Sequence, residues 1–296
     1  MATTGDYLKL HFIVFLWGFT AILGKLIITP SVEMVFYRCL LATLGMFVIM
    51  LYSGNKFQIG RADVIRLLLT GIIVSVHWIS FFASARVSNV SVSLVGFATA
   101  SLWTSFIEPL SFGRKIKPME VCLGSFVLIG IAIIFSFDFQ YKLGFLLGIL
   151  SGLTAAIFSV INSKMVKRVE VSAITFYEMA GACLAIALFF PLYKLSWAAD
   201  GMLSLSPSLM DWLYIGILAF VCTVYAFSVM VELMKRVSVF LIQLTINLEP
   251  LYGIIMAVIL FKEKEKMNVN FYIGTIIILS AVISYPLLKR KFAKHF

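Results

Sequence analysis

Ten apolar stretches, each about as long as a bilayer is thick, occupy most of this 296-residue chain. A membrane-spanning helix needs about 20 consecutive apolar residues, and lipid offers no partner for an unpaired backbone group. Strands of a membrane barrel would be about half as long and would alternate in polarity, so helices are predicted throughout. The predicted spans are 10–29, 32–52, 64–85, 90–112, 119–138, 144–164, 172–193, 209–231, 238–261 and 269–288.

The composition excludes a soluble globule. Hydrophobic residues make up 61% of the chain and the mean hydropathy is +1.03, whereas a soluble domain has about 45–50% apolar residues. Ten crossings with short connections leave no room for a separate aqueous domain. The sequence therefore predicts an all-α integral membrane protein with ten transmembrane helices.

The formal net charge of +10 does not indicate nucleic-acid binding, because the basic residues lie in short loops between apolar stretches. Loops on the cytoplasmic side of a membrane are enriched in Lys and Arg, so these residues indicate how the chain is oriented in the membrane. With a cytoplasmic N-terminus, sixteen Lys and Arg residues face the cytoplasm and seven face the other side. One loop opposes this bias, since residues 262–266 place three lysines outside. The balance predicts a multi-pass protein with both termini cytoplasmic.

The two halves of the chain resemble each other. Residues 35–38 (Val-Phe-Tyr-Arg) recur as 175–178 (Thr-Phe-Tyr-Glu), and 112–115 (Phe-Gly-Arg-Lys) recur as 261–264 (Phe-Lys-Glu-Lys). Chance similarity between apolar helices is the alternative explanation. We predict a first repeat of five spans in residues 1–142 and a second in 143–296. An odd number of spans inverts the second copy, as in many secondary transporters.

Span two contains the Phe-Tyr-Arg sequence at residues 36–38, and span nine has Pro250 and ends in Phe-Lys-Glu (261–263). In these patterns, and in the layout of ten spans in two halves, the chain resembles the EamA-type members of the drug/metabolite transporter superfamily. The resemblance covers essentially the whole chain. It implies an exporter of metabolites or amino acids in the inner membrane, with a central cavity lined by spans one, three, four, six, eight and nine. The first half departs from the span-nine pattern, having Ser101 and Arg114 where that span has its proline and acidic residue.

Two titratable side chains, His77 and Glu249, fall nearest the middle of their spans. A charge at the bilayer centre costs about 2.5–3.5 kcal/mol on insertion scales, so such residues indicate function. Glu249 precedes Pro250, which commonly kinks a helix. We predict that both residues line the cavity and carry a coupled proton. The alternatives are a structural pair of Glu249 with Arg38 or a backbone group, and a hydrogen-bonded packing role for His77.

Arg38 and Glu178 are predicted to be structural charges. Arg38 is placed in the outer part of span two, where its side chain can reach the interface. Trp78, Trp103 and Trp17 could form an aromatic wall, although for each tryptophan taken alone contact with lipid or with neighbouring helices is the favoured explanation. The predicted substrate-binding residues are His77, Trp78, Trp103, Asn162, Tyr225, Gln243, Asn247 and Glu249.

Small residues recur at four-residue spacing in span six, at Gly148, Gly152 and Ala156. This pattern is typical of close helix packing in membranes. Packing within one chain or between two chains is equally compatible with it, so a monomer and a homodimer both remain open.

No motif for nucleotide binding, metal binding or hydrolysis occurs, so we expect no catalytic residues, no metal and no cofactor. The prediction is a secondary transporter that exports a small metabolite or amino acid by alternating access. The substrate gradient or a coupled proton would supply the energy, and the partners are the small-molecule substrate and the lipid bilayer. A flippase for lipid or an isoprenoid carrier, and a membrane-embedded lipid-modifying enzyme, are the alternatives.

Overall fold

The structure, a computed structural model, describes residues 2–54, 57–88, 90–135, 141–198, 201–249, 251–252 and 269–292. These ranges contain helices and no β-strand. The helices are α1 (Thr4–Leu26), α2 (Ser31–Ser53), α3 (Arg61–Val87), α4 (Val90–Ser111), α5 (Pro118–Phe135), α6 (Lys142–Met165), α7 (Val171–Ser196), α8 (Leu209–Leu233), α9 (Val239–Ile246) and α10 (Val269–Phe292).

Six of the described helices, α1, α2, α3, α6, α7 and α8, are each long and apolar enough to cross a membrane. Shorter apolar helical segments occur at Pro118–Ile133 and Ile276–Tyr285. The prediction of an all-helical membrane protein is therefore confirmed. Pro250, residues 253–261 of span nine and the 262–266 loop lie outside the described residues.

The first helix begins at Thr4, six residues before the predicted start of span one. The reason is local: Thr3 caps the helix, its hydroxyl accepting from the Asp6 backbone N–H while the Asp6 carboxylate accepts from the Thr3 N–H at 2.8 Å. Such a capping box satisfies backbone donors that a helix start leaves unpaired. Asp6 also pairs with Arg236 in the α8–α9 connection at 3.1 Å.

Helices at matching positions in the two halves pack against each other and run antiparallel. In α2 and α7, Phe36 contacts Phe190 with ring centroids 5.0 Å apart, whereas Phe47, further along α2, contacts the earlier Phe176 at 6.3 Å. The pairs α4 with α9 and α5 with α10 show the same reversed order. Ser101 and Glu108 of α4 contact Asn247 and Phe240, and Glu120 and Gly130 of α5 contact Tyr285 and Ile277.

The remaining contacts repeat when the halves are exchanged. Helix α1 of the first half packs on α8 and α9 of the second, and its counterpart α6 packs on α3 and α4 of the first. In the same way, α2 packs on α8, and its counterpart α7 packs on α3. The tyrosines of the repeated sequence match as well. Tyr37 donates to the Leu205 carbonyl beyond α7 at 2.7 Å, and Tyr177 donates to the Phe57 carbonyl beyond α2 at 2.8 Å.

Glycines bring the central helices into backbone contact. A Cβ at Gly148 of α6 would lie 2.9 Å from the Cα of Gly96 in α4, and one at Gly152 would lie 2.8 Å from the Phe97 carbonyl oxygen. The close packing predicted for this face of span six is confirmed. Gly71 and Gly181 allow the same approach between α3 and α7.

The middle of α8 is not α-helical. Residues Leu209–Ala219 and Ala226–Leu233 form α-helix, and Phe220–Tyr225 between them form one wide π-helical turn. Such turns interrupt the regular hydrogen-bond ladder and are frequent at functional sites. This turn faces α1 and α2, where the pocket described next is found.

Candidate substrate pocket

A pocket lies where both halves meet, with a volume of about 60 Å³. Its walls come from α1, α2, α3, α4, α6 and α8 and from α9 with the residues that follow it. The lining is largely aromatic, with a few polar groups among the rings, which is the usual composition of a small-molecule site. Lining residues are Trp17, Thr20, Arg38, His77, Trp78, Phe81, Phe82, Phe97, Ala155, Phe158, Cys222, Phe227, Met230, Gln243, Ile246 and Glu249.

Arg38 is the cation of the pocket. Its side chain is buried, with the guanidinium carbon 3.9 Å from the centroid of the Trp78 ring, and its Nε donates to Thr223 Oγ1 at 2.8 Å. Thr223 belongs to the π-helical turn and itself donates to the Leu218 carbonyl at 2.9 Å. The expectation that Arg38 reaches toward the interface is wrong, because the ring and the hydroxyl hold its head group inside the bundle.

Glu249 is the acidic side chain of the pocket and is also buried. Its Oε1 accepts from Thr20 Oγ1 at 3.2 Å. One turn earlier on α1, Trp17 donates its indole N–H to the Cys222 carbonyl at 2.9 Å, which ties α1 to the π-helical turn. Arg38 and Glu249 line one pocket but form no ion pair within 4 Å. A basic and an acidic side chain thus face the same small space without direct contact between their charged groups.

His77 lies on α3 between the rings of Phe97 and Phe158, each 5.4 Å away between centroids. Its Nδ1 lies 2.9 Å from the Ser151 carbonyl oxygen and 2.8 Å from Ser151 Oγ on α6. A carbonyl oxygen can only accept, so Nδ1 carries a proton in this arrangement. The contact fixes the ring orientation, as a structural role requires, and the ring still lines the pocket.

The predicted binding residues separate into two groups. His77, Trp78, Gln243 and Glu249 line the pocket, whereas the other four lie elsewhere. Asn247 donates to Ser101 Oγ at 3.1 Å and joins α9 to α4, and Asn162 donates to Glu178 Oε2 at 3.0 Å. Trp103 is half-buried in α4 outside the pocket lining, and Tyr225 is 46% exposed against Phe12.

Rotational position explains this separation. Helix α8 turns Cys222, Phe227 and Met230 toward the pocket, which leaves Tyr225 on the outer side. Glu178, predicted to be a structural charge, is buried beside Asn162 and outside the pocket.

Two pocket residues, Thr20 and Arg38, were not predicted from the sequence to line the pocket. Thr20 follows Trp17 by three positions, and this spacing places both on one face of a helix.

The sequence profile of the EamA-like transporter family matches twice, over residues 7–136 and 142–285. A search of curated proteins gives no match. A solved structure, described only as "Crystal structure of protein", superposes with a TM-score of 0.76 at 17% identity, covering 98% of this chain and 100% of that one. At this identity the likeness concerns the fold. Since the two profile matches span nearly all the described helices, the chain is a multi-pass membrane protein that belongs to the EamA-like transporter family of the drug/metabolite transporter superfamily.

Proposed function

We propose that this chain is a secondary transporter that exports a small metabolite or amino acid across the inner (plasma) membrane by alternating access. The observation that carries the proposal is the pocket between the halves, in which Arg38 and Glu249 face one aromatic-walled space. An amphoteric molecule such as an amino acid matches this pair, with its carboxylate toward Arg38 and its ammonium toward Glu249. The rings suit an apolar side chain.

The proposed architecture is ten crossings in two inverted repeats, with both termini in the cytoplasm. The antiparallel pairs α2 with α7, α4 with α9 and α5 with α10 support inversion, and the two profile matches support two repeats. Inverted repeats give two conformations of similar energy around one midplane site. The charge bias of the loops supports the orientation.

The pocket volume of about 60 Å³ supports the alternating part of the mechanism. This volume holds a few water molecules, so a metabolite requires the surrounding helices to move apart. Aromatic side chains from α3, α4, α6 and α8 narrow the pocket in this conformation. We therefore assign the structure to a contracted state between the two open ones.

Counterflow in proteoliposomes tests the function. Vesicles containing the purified protein are loaded with unlabelled compounds from a panel of amino acids, nucleosides and other metabolites, and uptake of the labelled compound is followed. We expect one class of amphoteric solute to exchange, and Tyr225→Phe, outside the pocket, to exchange as the wild type does. Movement of a lipid or isoprenoid-carrier probe without any solute exchange would favour a flippase, and chemical conversion of a lipid would favour an enzyme.

His77 and Glu249 are the proposed carriers of a coupled proton within the pocket. In wild-type vesicles with a trapped pH indicator, we expect substrate flux to carry protons with it. His77→Asn combined with Glu249→Gln keeps similar shapes but removes both titrating groups, so flux should lose its dependence on pH. Transport that is independent of pH in the wild type and unaltered in the double variant would refute coupling through these two residues.

A further inference from the structure

Glu178 is a fully buried carboxyl group with an incomplete set of hydrogen bonds. Its side chain has no exposed surface, and its Oε2 accepts from Asn162 Nδ2 at 3.0 Å. Its Oε1 has no hydrogen-bond partner among the described residues, and neither has Asn162 Oδ1. In the described ranges no cation lies within ion-pair distance of Glu178.

Two buried acceptors without donors, one of them on a carboxylate, are costly in a protein interior. A proton on the carboxyl group removes the charge and creates the missing donor. Asn162 Oδ1 is the matching acceptor, because an acid and an amide can pair through two hydrogen bonds. A metal cation fits less well, since the Asn162 amide N–H group already points at the carboxylate.

Polar side chains lie between this pair and the substrate pocket. Gln243 lines the pocket and donates to Ser159 Oγ of α6 at 2.8 Å, and Gln243 Oε1 is a third buried oxygen without a described partner. Ser159 and Asn162 are three positions apart and share one face of α6. Glu178 lies about 10 Å from the start of α7, which places it between the pocket and that end of the bundle.

Most of the other charged groups on the helices packed against α7, and on α6, have contacts of their own. Helices α2, α3 and α8 pack on α7. These contacts are Glu33 with the Ser204 N–H, Arg38 with Thr223, Asp63 with Arg66 and Arg168, His77 with Ser151, Arg86 with the Ile27 and Thr29 carbonyls, Asp211 with the Ile28 and Thr29 N–H groups, Glu232 with Lys235, and Lys164 with the Ser111 carbonyl. Cys39, Cys183 and Cys222 are free thiols.

We propose that Glu178 and Asn162 form a proton-binding site, separate from the substrate pocket and connected to it through Ser159 and Gln243. Loading transfers a proton from a hydronium ion in the pocket to a carboxylate oxygen of Glu178: one O–H bond of hydronium breaks, which leaves water, and the carboxyl O–H bond forms. Release returns that proton to water at the end of the bundle where α7 begins. The coupling role rests on the proposed transport function, whereas proton binding does not.

Infrared spectroscopy of the protein in nanodiscs tests the site without any substrate. The carboxylic-acid C=O band is recorded from about pH 5 to about pH 9. We expect the wild-type minus Glu178→Gln difference to contain such a band, which weakens as pH rises. Asn162→Ala keeps the acid but should shift the frequency of this band, because the hydrogen-bond partner is lost. Glu108→Gln is the control, since that carboxylate accepts from the Val239 and Phe240 backbone N–H groups.

Absence of the difference band across this range overturns the proposal, even if transport is demonstrated. If Glu178→Gln does not fold, the spectrum of Asn162→Ala is compared with that of the wild type instead. A shifted carboxylic-acid band then supports the proposal, and the absence of any shift overturns it. For coupling, a gradient of one pH unit should let wild-type vesicles accumulate substrate about tenfold per proton moved. Glu178→Gln should keep counterflow and lose this accumulation. Accumulation equal to the wild type would refute coupling at Glu178 and leave the transport function intact.

Discussion

At the residue scale, the sequence identifies which side chains are unusual in lipid but not which way they point. His77 and Glu249 were predicted from their depth, and both line the pocket. Asn162 and Asn247 are equally polar, yet their amides join neighbouring helices. Depth follows from counting along a helix, whereas the face that a residue presents depends on packing that the sequence does not display.

Arg38→Lys should impair transport although the charge is kept. Lysine has no planar group to lie over Trp78 and no Nε to donate to Thr223. A lost hydrogen bond to a charged group is worth about 1.5–3 kcal/mol, so we expect kcat/KM for transport to fall at least about tenfold. Arg114→Lys is the matched control, because Arg114 also lies over a ring, that of Phe112, but is exposed. Equal transport by both variants would contradict a site role for Arg38.

At the element scale, the close packing of α6 was predicted from the four-residue spacing of its small residues, because only small side chains allow two helix backbones to come into contact. The π-helical turn of α8 could not be predicted, since its sequence, Phe-Val-Cys-Thr-Val-Tyr, contains neither proline nor glycine. The start of α1 was missed for another reason. Its first turn is polar and is capped by Thr3 and Asp6, so apolar character does not mark where the helix begins.

Gly148→Ala should destabilise the bundle. The new methyl group would lie 2.9 Å from the Gly96 Cα and 3.1 Å from the Ser93 carbonyl oxygen, so α4 and α6 would have to separate. Overpacking of this kind costs about 1–3 kcal/mol. Unfolding in mixed micelles measures the loss, with Gly216→Ala as control because its Cβ meets nothing within 4 Å. Equal unfolding free energies for both variants would show that the contact carries no energy.

Deletion of Val221 should convert the π-helical turn into ordinary α-helix while the flanking α-helical parts keep their faces. The Cys222 carbonyl and the Thr223 hydroxyl would then lose their positions against Trp17 and Arg38. We expect a folded protein, judged by circular dichroism and gel filtration, with transport at least about tenfold slower. Deletion of Ile217 from the α-helical part is the contrast, because it rotates all that follows by about 100° and should prevent folding. Wild-type transport after the Val221 deletion would refute a role for the turn.

At the scale of the whole molecule, the helical membrane class and the family were predictable because length, hydropathy and repeated motifs extend over the entire chain. The antiparallel pairing of equivalent helices agrees with an odd number of spans in each repeat. The conformation was not predictable. A transporter that alternates between two states, as we propose for this chain, has one sequence for both, so the small volume of the pocket follows from three-dimensional packing alone.

Alternating access to a chamber between the halves is the central claim. Ala155 of α6 lines the pocket and can be replaced by cysteine in a chain whose four native cysteines have been removed. A small membrane-impermeant thiol reagent is then applied to oriented vesicles, from one side in one sample and from the other side in a second. The account predicts that Ala155→Cys reacts from both sides and that a transported substrate slows both reactions. Reaction from one side alone, or from neither, would contradict it.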